Sequence, residues 1–377
     1  MTKKILTIIG ARPQIIKSAA ISKAVRTDYS RQLSEVIVHT GQHYDINMSD
    51  VFFVQMSLPE PSYNLGVGSG SHGTQTAAML SGLEKIMLDE QPAVVLVYGD
   101  TNSTLAAAMA AAKLKIPLVH VEAGLRSFNK AMPEEINRIM CDHASTLLFS
   151  PTLAGMQNLA REGFDLKALP PYSADHPGVF HCGDVMYDNA LYFAPYTDSV
   201  SNVLRDCGIN SDPFVLATIH RDNNTDDPHR LRGVIEALVA VADALKMRVV
   251  WPMHPRTRKM CEQSGIDLDA LNKQLNVIPP ATYLDMLHLE KNCTLVITDS
   301  GGVQKEAYYF KKPCIILRSE TEWIELVQNG NARLCQPIAD DVVSHARYFM
   351  SASLTWPEIF GDGNAARFIC SKIAELQ

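Results

Sequence analysis

Several signatures that would assign a function class directly are missing from this chain of 377 residues. Its eight cysteines form no CxxC pair and follow no regular spacing, which argues against a zinc site and favours buried thiols in a reducing compartment. No run approaches 18 apolar residues, so no membrane-spanning helix is predicted and no membrane partner is expected. The apolar run near the start is too short for a signal peptide, and the sequence predicts a cytoplasmic protein.

Positive charge is also scarce. With 34 Lys and Arg against 41 Asp and Glu, the formal charge is -7, which argues against broad nucleic-acid binding and for a selectively bound partner. The chain has no sequence repeat, no low-complexity tract and no nucleic-acid motif. Its composition, 46% hydrophobic and 20% charged, is that of an ordinary globular protein, and its length favours two domains.

The most informative stretch contains two short apolar runs that each end in an acid. The runs Val94–Tyr98 and Leu118–Val121 have the length and composition of buried parallel strands, and an Ala-rich helix is predicted between them. Asp100 and Glu122 follow these strands directly. Because ligands of open α/β sheets bind outside the carboxyl ends of the strands, both acids are candidate site residues.

A third acid, Glu134, follows Pro133 where another helix is predicted to begin. N-capping by Asp100 and surface charge for the other two acids are the alternatives. Capping does not explain acids at two adjacent strand ends, so the three together indicate a site.

The first predicted strand, Ile5–Ile9, ends in a Gly-containing turn before a helix at Gln14–Val25. Arg12 and Lys17 flank the start of that helix, and a helix N-terminus with two cations suits a phosphate group. The polar run 40–45 follows the second predicted strand. The Gly-rich segment 66–73 reads either as a linker or as a mobile loop that closes over a ligand.

The second half repeats this pattern of polar residues after apolar strands. The candidate residues at these strand ends are His220, Arg221, His254 and the DSGG sequence at 299–302. DSGG opens a predicted helix, so Ser300, Gly301 and Gly302 could offer backbone N–H groups to a pyrophosphate. Glu306, one turn further on, could bind ribose hydroxyls. A simple Asp/Ser cap with a Gly turn, and an exposed helix glutamate, are the alternatives.

Two successive sets of strand–turn–helix units predict an α/β protein of two Rossmann-like domains facing a central cleft, as in nucleotide-sugar glycosyltransferases. The expected domains are residues 1–184, with the acids, and residues 185–360, with the phosphate site. Residues 361–377 are expected to form a helix that crosses back to the first domain.

Eight motifs in order resemble one known family, that of the non-hydrolysing UDP-N-acetylglucosamine 2-epimerases. They are GARPQIIK, HTGQHYD, YGDTNSTLA, HVEAGLRS, MPEEINR, a strand-end HR, HPRT and DSGGVQKE. The resemblance implies the glycosyltransferase-B-like fold, a homodimer, a UDP-sugar substrate, and no metal or redox cofactor.

The matching motifs imply roles for individual residues. Those implied to be catalytic are Asp100, Glu122, Glu134 and His220. Arg12 and Lys17 match a basic pair near the phosphates, and the UDP-binding residues are implied to be Ser300, Gly301, Gly302 and Glu306. The implied reaction inverts C2 of a 2-acetamido sugar through loss and re-addition of UDP, which requires a base on one face, an acid on the other and stabilisation of the departing pyrophosphate.

The chain departs from the UDP-N-acetylglucosamine enzymes at 219–222, at 304–306 and at 321–325, which read IHRD, QKE and TEWIE. These departures resemble the subgroup acting on UDP-2,3-diacetamido-2,3-dideoxyglucuronic acid, which is therefore the expected substrate. UDP-N-acetylglucosamine is the alternative substrate. A glycosyltransferase, a non-catalytic UDP-sugar binding protein and a hydrolysing epimerase are the alternative functions.

Overall fold

The computed structural model describes residues 2–41, 56, 58–209 and 211–376. The chain divides into two compact units, Met1–Asn189 with Glu358–Gln377, and Ala190–Pro357. The first division between the units falls within the helix Val185–Val200. The predicted residues 42–45 of the HTGQHYD motif lie outside the described part of the chain.

The first unit is built on a parallel sheet that has seven strands among the described residues, in the order β3-β2-β1-β4-β5-β6-β7. The strands are β1 Lys3–Ile9, β2 Leu33–His39, β3 Tyr63–Asn64, β4 Val94–Tyr98, β5 Leu118–Val121, β6 Leu147–Ser150 and β7 Gly178–His181. Tyr98 is paired with Val121, so β4 and β5 end at the same level of the sheet. The residues that follow these two strands are therefore neighbours.

Helices cover both faces of this sheet, as expected for strands such as β4 whose residues are all buried. The helices assigned wholly to this unit are Arg12–Thr27, His72–Glu90, Asn102–Leu114, Pro133–Ala144, Leu153–Arg161 and Ala365–Glu375. The Ala-rich helix Asn102–Leu114 packs closely against His72–Glu90, because its small side chains let the two backbones approach. The C-terminal helix Ala365–Glu375 packs on Arg12–Thr27.

The second unit repeats the design with six parallel strands among its described residues, in the order β10-β9-β8-β11-β12-β13. The strands are β8 Phe214–Thr218, β9 Arg248–Pro252, β10 Asn276–Ile278, β11 Leu295–Thr298, β12 Cys314–Ile316 and β13 Ala332–Leu334. Its helices are Val203–Asp206, Asp222–Thr225, Pro228–Leu245, Pro255–Gln263, Leu268–Gln274, Tyr283–Asn292, Gly301–Tyr309, Ile324–Gln328 and Ala339–Ser351. Thr298 pairs with Thr218 and with Ile316, so the loops after β8, β11 and β12 lie side by side.

These two parallel sheets confirm the predicted α/β class. Within the described residues, every helix is too short or too polar to cross a bilayer. The eight cysteines are all free, and seven of them are buried. The Gly-rich segment 66–73 lies inside the first unit, where Gly68 N–H donates to Gly41 O at 2.9 Å and Gln75 Nε2 donates to Gly68 O at 2.8 Å. It therefore does not serve as a linker between the two units.

Candidate functional site

In the first unit, Lys17 and Glu122 form an ion pair beside the turn that follows β4. The turn contains Gly99, whose φ of +61° lies in the left-handed region. A Cβ atom at Gly99 would stand 3.2 Å from Glu122 Oε2 and 3.3 Å from Lys17 Nζ. Glycine is therefore favoured here by the backbone conformation, and a larger residue would also crowd the ion pair.

Asp100, the next residue, is held by Arg138, whose Nη2 lies 2.6 Å from Asp100 Oδ2. Asn137 Nδ2 also donates to the carbonyl oxygen of Asp100 at 2.9 Å. The helix Asn102–Leu114 is capped by Thr101, whose side chain accepts from the Thr104 N–H, so the alternative that Asp100 is the N-cap is wrong. We call Lys17, Asp100, Glu122 and Arg138 the acid cluster.

Charge complementarity holds the acid cluster together. Burial alone would lower the pKa of Arg138, but the carboxylates of Asp100, Glu135 and Glu122 outweigh it and raise that pKa. Glu122 has a φ of 76°, a backbone conformation that costs energy in a residue with a side chain. Strain of this kind is concentrated at functional sites, where the surrounding structure enforces it.

Glu134 lies in the first turn of the helix Pro133–Ala144, and its side chain is exposed. The adjacent Glu135 is buried, and it accepts from the N–H groups of Ser127 and Phe128 and from Arg138 Nη1. Burial acts to raise the pKa of Glu135, but these hydrogen bonds and the Arg138 charge lower it overall. The described contacts thus tie Glu135, rather than Glu134, to the acid cluster.

Arg12 is exposed at the first residue of the helix Arg12–Thr27, while Lys17 points to Glu122. Gln14, which is buried between them, was not predicted as a site residue. Its Oε1 accepts from the N–H groups of Gly10 and Ala11, and its Nε2 donates to Tyr98 O at 2.9 Å. Gln14 therefore joins the turn after β1 to the end of β4. The signal that the sequence offered for Gln14 was an amide residue inside the GARPQIIK motif.

In the second unit, the carboxylate of Asp299 organises the turn that carries His220 and Arg221. It accepts from both of their backbone N–H groups, at 3.0 to 3.2 Å, and from Asn224 Nδ2 at 2.9 Å. Asp299 is fully buried, and the His220 ring is about half exposed. The acid of the DSGG motif is therefore a scaffold for the histidine turn, a role that the sequence analysis did not assign.

The helix Gly301–Tyr309 begins directly after Ser300, whose side chain makes no capping hydrogen bond to the described residues. A Cβ atom added at Gly302 would lie 3.9 Å from the Ser300 hydroxyl and 3.9 Å from Glu306 Oε2. The predicted site residues Ser300, Gly302 and Glu306 therefore lie together. Trp323 covers the helix start, where its Nε1 donates to Gly301 O at 3.0 Å. Helix N-termini of this kind favour anions.

Glu306 is largely buried, so the alternative of an exposed helix glutamate is wrong. It packs against Glu290, a fully buried carboxyl on the neighbouring helix Tyr283–Asn292. Burial, followed by the charge of Glu306, raises the pKa of Glu290 well above 4.5.

A polar cavity of about 290 Å³ lies beside Arg221 and is also lined by Arg230, Arg318 and Glu320. Arg318 makes a two-pronged contact with Glu322, with both N–O distances 2.8 Å, and Arg221 Nη2 lies 3.8 Å from the same carboxylate. The cavity is thus rich in guanidinium groups that are only partly neutralised.

His254 caps the helix Pro255–Gln263, and its ring centroid lies 6.3 Å from that of His220. Arg256 is paired with Asp222 and Asp226. The structure therefore groups His220, Arg221 and His254 with the start of the helix after β11. We call these three residues and Ser300, Gly301, Gly302 and Glu306 the anion cluster.

Each unit thus carries one cluster of residues, and the two clusters suit different chemical tasks. The acid cluster holds carboxylates beside cations, an arrangement that can move protons and fix sugar hydroxyls. The anion cluster combines an uncapped helix start with histidine and arginine side chains, an arrangement that suits a pyrophosphate.

Comparison with known proteins gives a consistent result. The family model described as UDP-N-acetylglucosamine 2-epimerase matches residues 26–374. The chain is 47% identical over 374 residues to a Pseudomonas aeruginosa protein named UDP-2,3-diacetamido-2,3-dideoxy-D-glucuronate 2-epimerase, covering 99% of this chain and 100% of that one. It is 44% identical to a Methanococcus maripaludis protein named UDP-N-acetylglucosamine 2-epimerase homolog, with 99% and 100% covered.

A solved structure is also similar. The Methanocaldococcus jannaschii UDP-GlcNAc 2-epimerase, crystallised in complex with UDP-GlcNAc and UDP, superposes with a TM-score of 0.85 at 38% identity, covering 99% of both chains.

Proposed function

Because the chain belongs to the UDP-N-acetylglucosamine 2-epimerase family, we propose that it inverts C2 of a UDP-linked 2-acetamido sugar from the gluco to the manno configuration. The family, the isomerase class and the glycosyltransferase-B-like fold expected from the motifs are confirmed. The substrate is proposed below from the named relatives, and the role of each residue from the contacts at the two clusters.

The proposed substrate is UDP-2,3-diacetamido-2,3-dideoxy-D-glucuronate. The observation that carries this choice is the full-length 47% identity to a protein named for that activity. UDP-N-acetylglucosamine is the second candidate, supported by the 44% identical homologue and by the solved structure that contains it.

In the proposed reaction a carboxylate of the first unit removes the C2 proton while the C1–O bond to UDP breaks, which leaves a glycal and UDP, both still bound. A proton is then returned to C2 on the opposite face as the UDP oxygen re-forms its bond to C1. The acids proposed for these transfers are Asp100, Glu122 and Glu134. Lys17 and Arg138 hold two of the acids in position.

The second unit is proposed to hold UDP throughout. The N-terminus of helix Gly301–Tyr309 and Arg221 would bind the pyrophosphate, and His220 would stabilise charge as UDP departs. Glu306 would accept hydrogen bonds from ribose hydroxyls. Arg12 and His254 are proposed as further phosphate contacts.

Proton NMR tests the substrate. The purified protein would be offered each UDP-sugar in a separate tube, with the second unit's binding checked by UDP titration. A new manno anomeric signal with UDP still attached, in the diacetamido-uronate tube alone or fastest, supports the proposal. Turnover of UDP-N-acetylglucosamine alone supports the second candidate. UDP binding without turnover in either tube contradicts both and favours a glycosyltransferase or a binding protein.

We also propose a homodimer located in the cytoplasm. The eight free cysteines are typical of a reducing compartment, and the dimer rests on the family resemblance. Light scattering during gel filtration should give twice the 41.6 kDa chain mass, and a monomer would contradict the dimer.

A further inference from the structure

His120 is a fully buried histidine on β5, two residues before Glu122. Its Nε2 lies 2.8 Å from the carbonyl oxygen of Gly99, and its Nδ1 lies 2.6 Å from Oδ1 of Asp142. A carbonyl oxygen can only accept, so Nε2 carries a proton. The ring therefore bridges the turn after β4 to a buried acid on the helix Pro133–Ala144.

Asp142 is an anion, because its second oxygen is also occupied by donors. Oδ2 accepts from the Gly124 N–H at 3.1 Å and lies 2.7 Å from Arg126 Nη2. Burial acts to raise the pKa of Asp142, but His120 and Arg126 lower it overall. Nδ1 of His120 therefore donates to a carboxylate, and both ring nitrogens carry protons.

The ring is thus an imidazolium although it is buried. Burial acts to lower the pKa of His120, but Cys141 and Asp142 outweigh burial and raise the pKa well above 6.5. A buried ion pair with satisfied hydrogen bonds has little freedom to move.

The two turns held in this way are those that carry the proposed catalytic acids. Gly99 precedes Asp100, and its Cα lies against the Lys17–Glu122 pair. Gly124, held by Asp142, follows Glu122 by two residues and has a φ of +79°. One ion pair therefore fixes both loops beside the proposed acids.

We propose that His120 is a positioning residue for the epimerase reaction, which fixes the spacing between Asp100 and Glu122 by holding the Gly99 carbonyl while Asp142 holds the loop after Glu122. This inference rests on the proposed function. It assigns to the histidine of HVEAGLRS a part in catalysis that requires no contact with the substrate.

Two isosteric variants separate the two hydrogen bonds. An asparagine amide takes the place of Nδ1, so His120→Asn keeps the Asp142 contact and loses the Gly99 contact. A glutamine amide takes the place of Nε2, so His120→Gln keeps the Gly99 contact and loses the Asp142 contact. His143→Asn is the matched control, because His143 is half exposed, lies 3.4 Å from Glu162 and packs beside Phe164.

The experiment measures kcat, KM and UDP affinity of the full-length chain by NMR and calorimetry. Displacing reacting groups by about 1 Å costs about 100-fold in rate, so His120→Asn should lower kcat by about 10- to 100-fold with KM and UDP affinity nearly unchanged. His120→Gln should retain several times more kcat than His120→Asn, and His143→Asn should match the wild type.

Equal losses of kcat in the two variants, or unchanged kcat in both, would overturn the inference. A loss of UDP affinity or of melting temperature that parallels the loss of kcat would also overturn it, since that pattern marks a purely structural role. Absence of turnover in the wild type would instead contradict the proposed function, so the two failures are distinguishable.

Discussion

Arg138 Nη2 lies 2.6 Å from the carboxylate of Asp100, and Arg138 Nη1 lies 2.6 Å from that of Glu135. One guanidinium therefore joins the acid after β4 to the first turn of the helix Pro133–Ala144. Glu134 is carried on that turn, so Arg138 couples the positions of two of the three proposed acids although it was not predicted as a site residue.

Arg138→Lys should lower kcat by about tenfold or more, because a lysine ammonium cannot reproduce the forked contact with two carboxylates. Initial rates of C2 inversion would measure the effect. Arg161→Lys is the control, since Arg161 is exposed at the end of a neighbouring helix. A wild-type kcat in Arg138→Lys would contradict this prediction, because a single positive charge at position 138 would then be enough for full activity.

Asp299→Asn should weaken UDP binding by about 10- to 100-fold, because its carboxylate accepts from three groups in the turn of His220 and charged hydrogen bonds contribute about 1.5–3 kcal/mol. Isothermal titration with UDP measures this. Asp267→Ala, which removes the N-cap acceptor of the helix Leu268–Gln274, controls for general loss of stability. UDP affinity that falls equally in both variants would refute the scaffold role of Asp299.

Lys17→Met should destabilise the first unit by about 2 kcal/mol, because it removes the cation that is paired with the largely buried Glu122 carboxylate. The double variant Lys17→Met with Glu122→Leu should recover most of that loss, since neither charge then remains buried. Thermal scans of the single and double variants make the comparison. A double variant less stable than Lys17→Met would show that the ion pair itself stabilises the fold.

Glu290→Gln should become more stable relative to the wild type as pH rises. The folded pKa of Glu290 is raised above 4.5 by burial and by Glu306, so the folded state keeps a proton that the unfolded state releases. The contribution of Glu290 to stability is complete below pH 4.5 and is lost as pH rises toward the folded pKa.

Glutamine does not titrate, so the melting temperature of Glu290→Gln minus that of the wild type should increase from pH 5 to pH 8. Asp267→Ala serves again as a variant whose difference should stay constant over this range. A pH-independent difference for Glu290→Gln would contradict a raised pKa of Glu290 in the folded protein.

Much of the fold could be predicted from the sequence, because the strands that matter are apolar runs ended by Gly, Pro or polar residues. Val94–Tyr98 and Leu118–Val121 were predicted with their observed bounds. The strands Tyr63–Asn64, Asn276–Ile278 and Ala332–Leu334 were overlooked. Strands of two or three residues carry too little periodicity to be distinguished from loops.

The strand-end residues of the candidate site could be identified as candidates from the sequence, whereas the residues that hold them in place could not. Arg138, Asp142 and Gln14 reach the site from helices, so their roles depend on packing that one sequence does not display. His120 stands in an otherwise apolar strand, and only the structure shows that both ring nitrogens face acceptors. The same limit applies to Asp299, whose partners lie more than 70 residues away in sequence.

The most direct test of the account is C2 proton exchange in D2O, measured by proton NMR for the wild type and for Asp100→Asn with the UDP-sugar that the protein converts. The wild type should place deuterium at C2 in both the gluco and manno forms with UDP attached. Asp100→Asn should bind UDP with wild-type affinity and incorporate deuterium at least about 100-fold more slowly. Deuterium incorporation at the wild-type rate in Asp100→Asn would contradict the assignment of the acid cluster to catalysis.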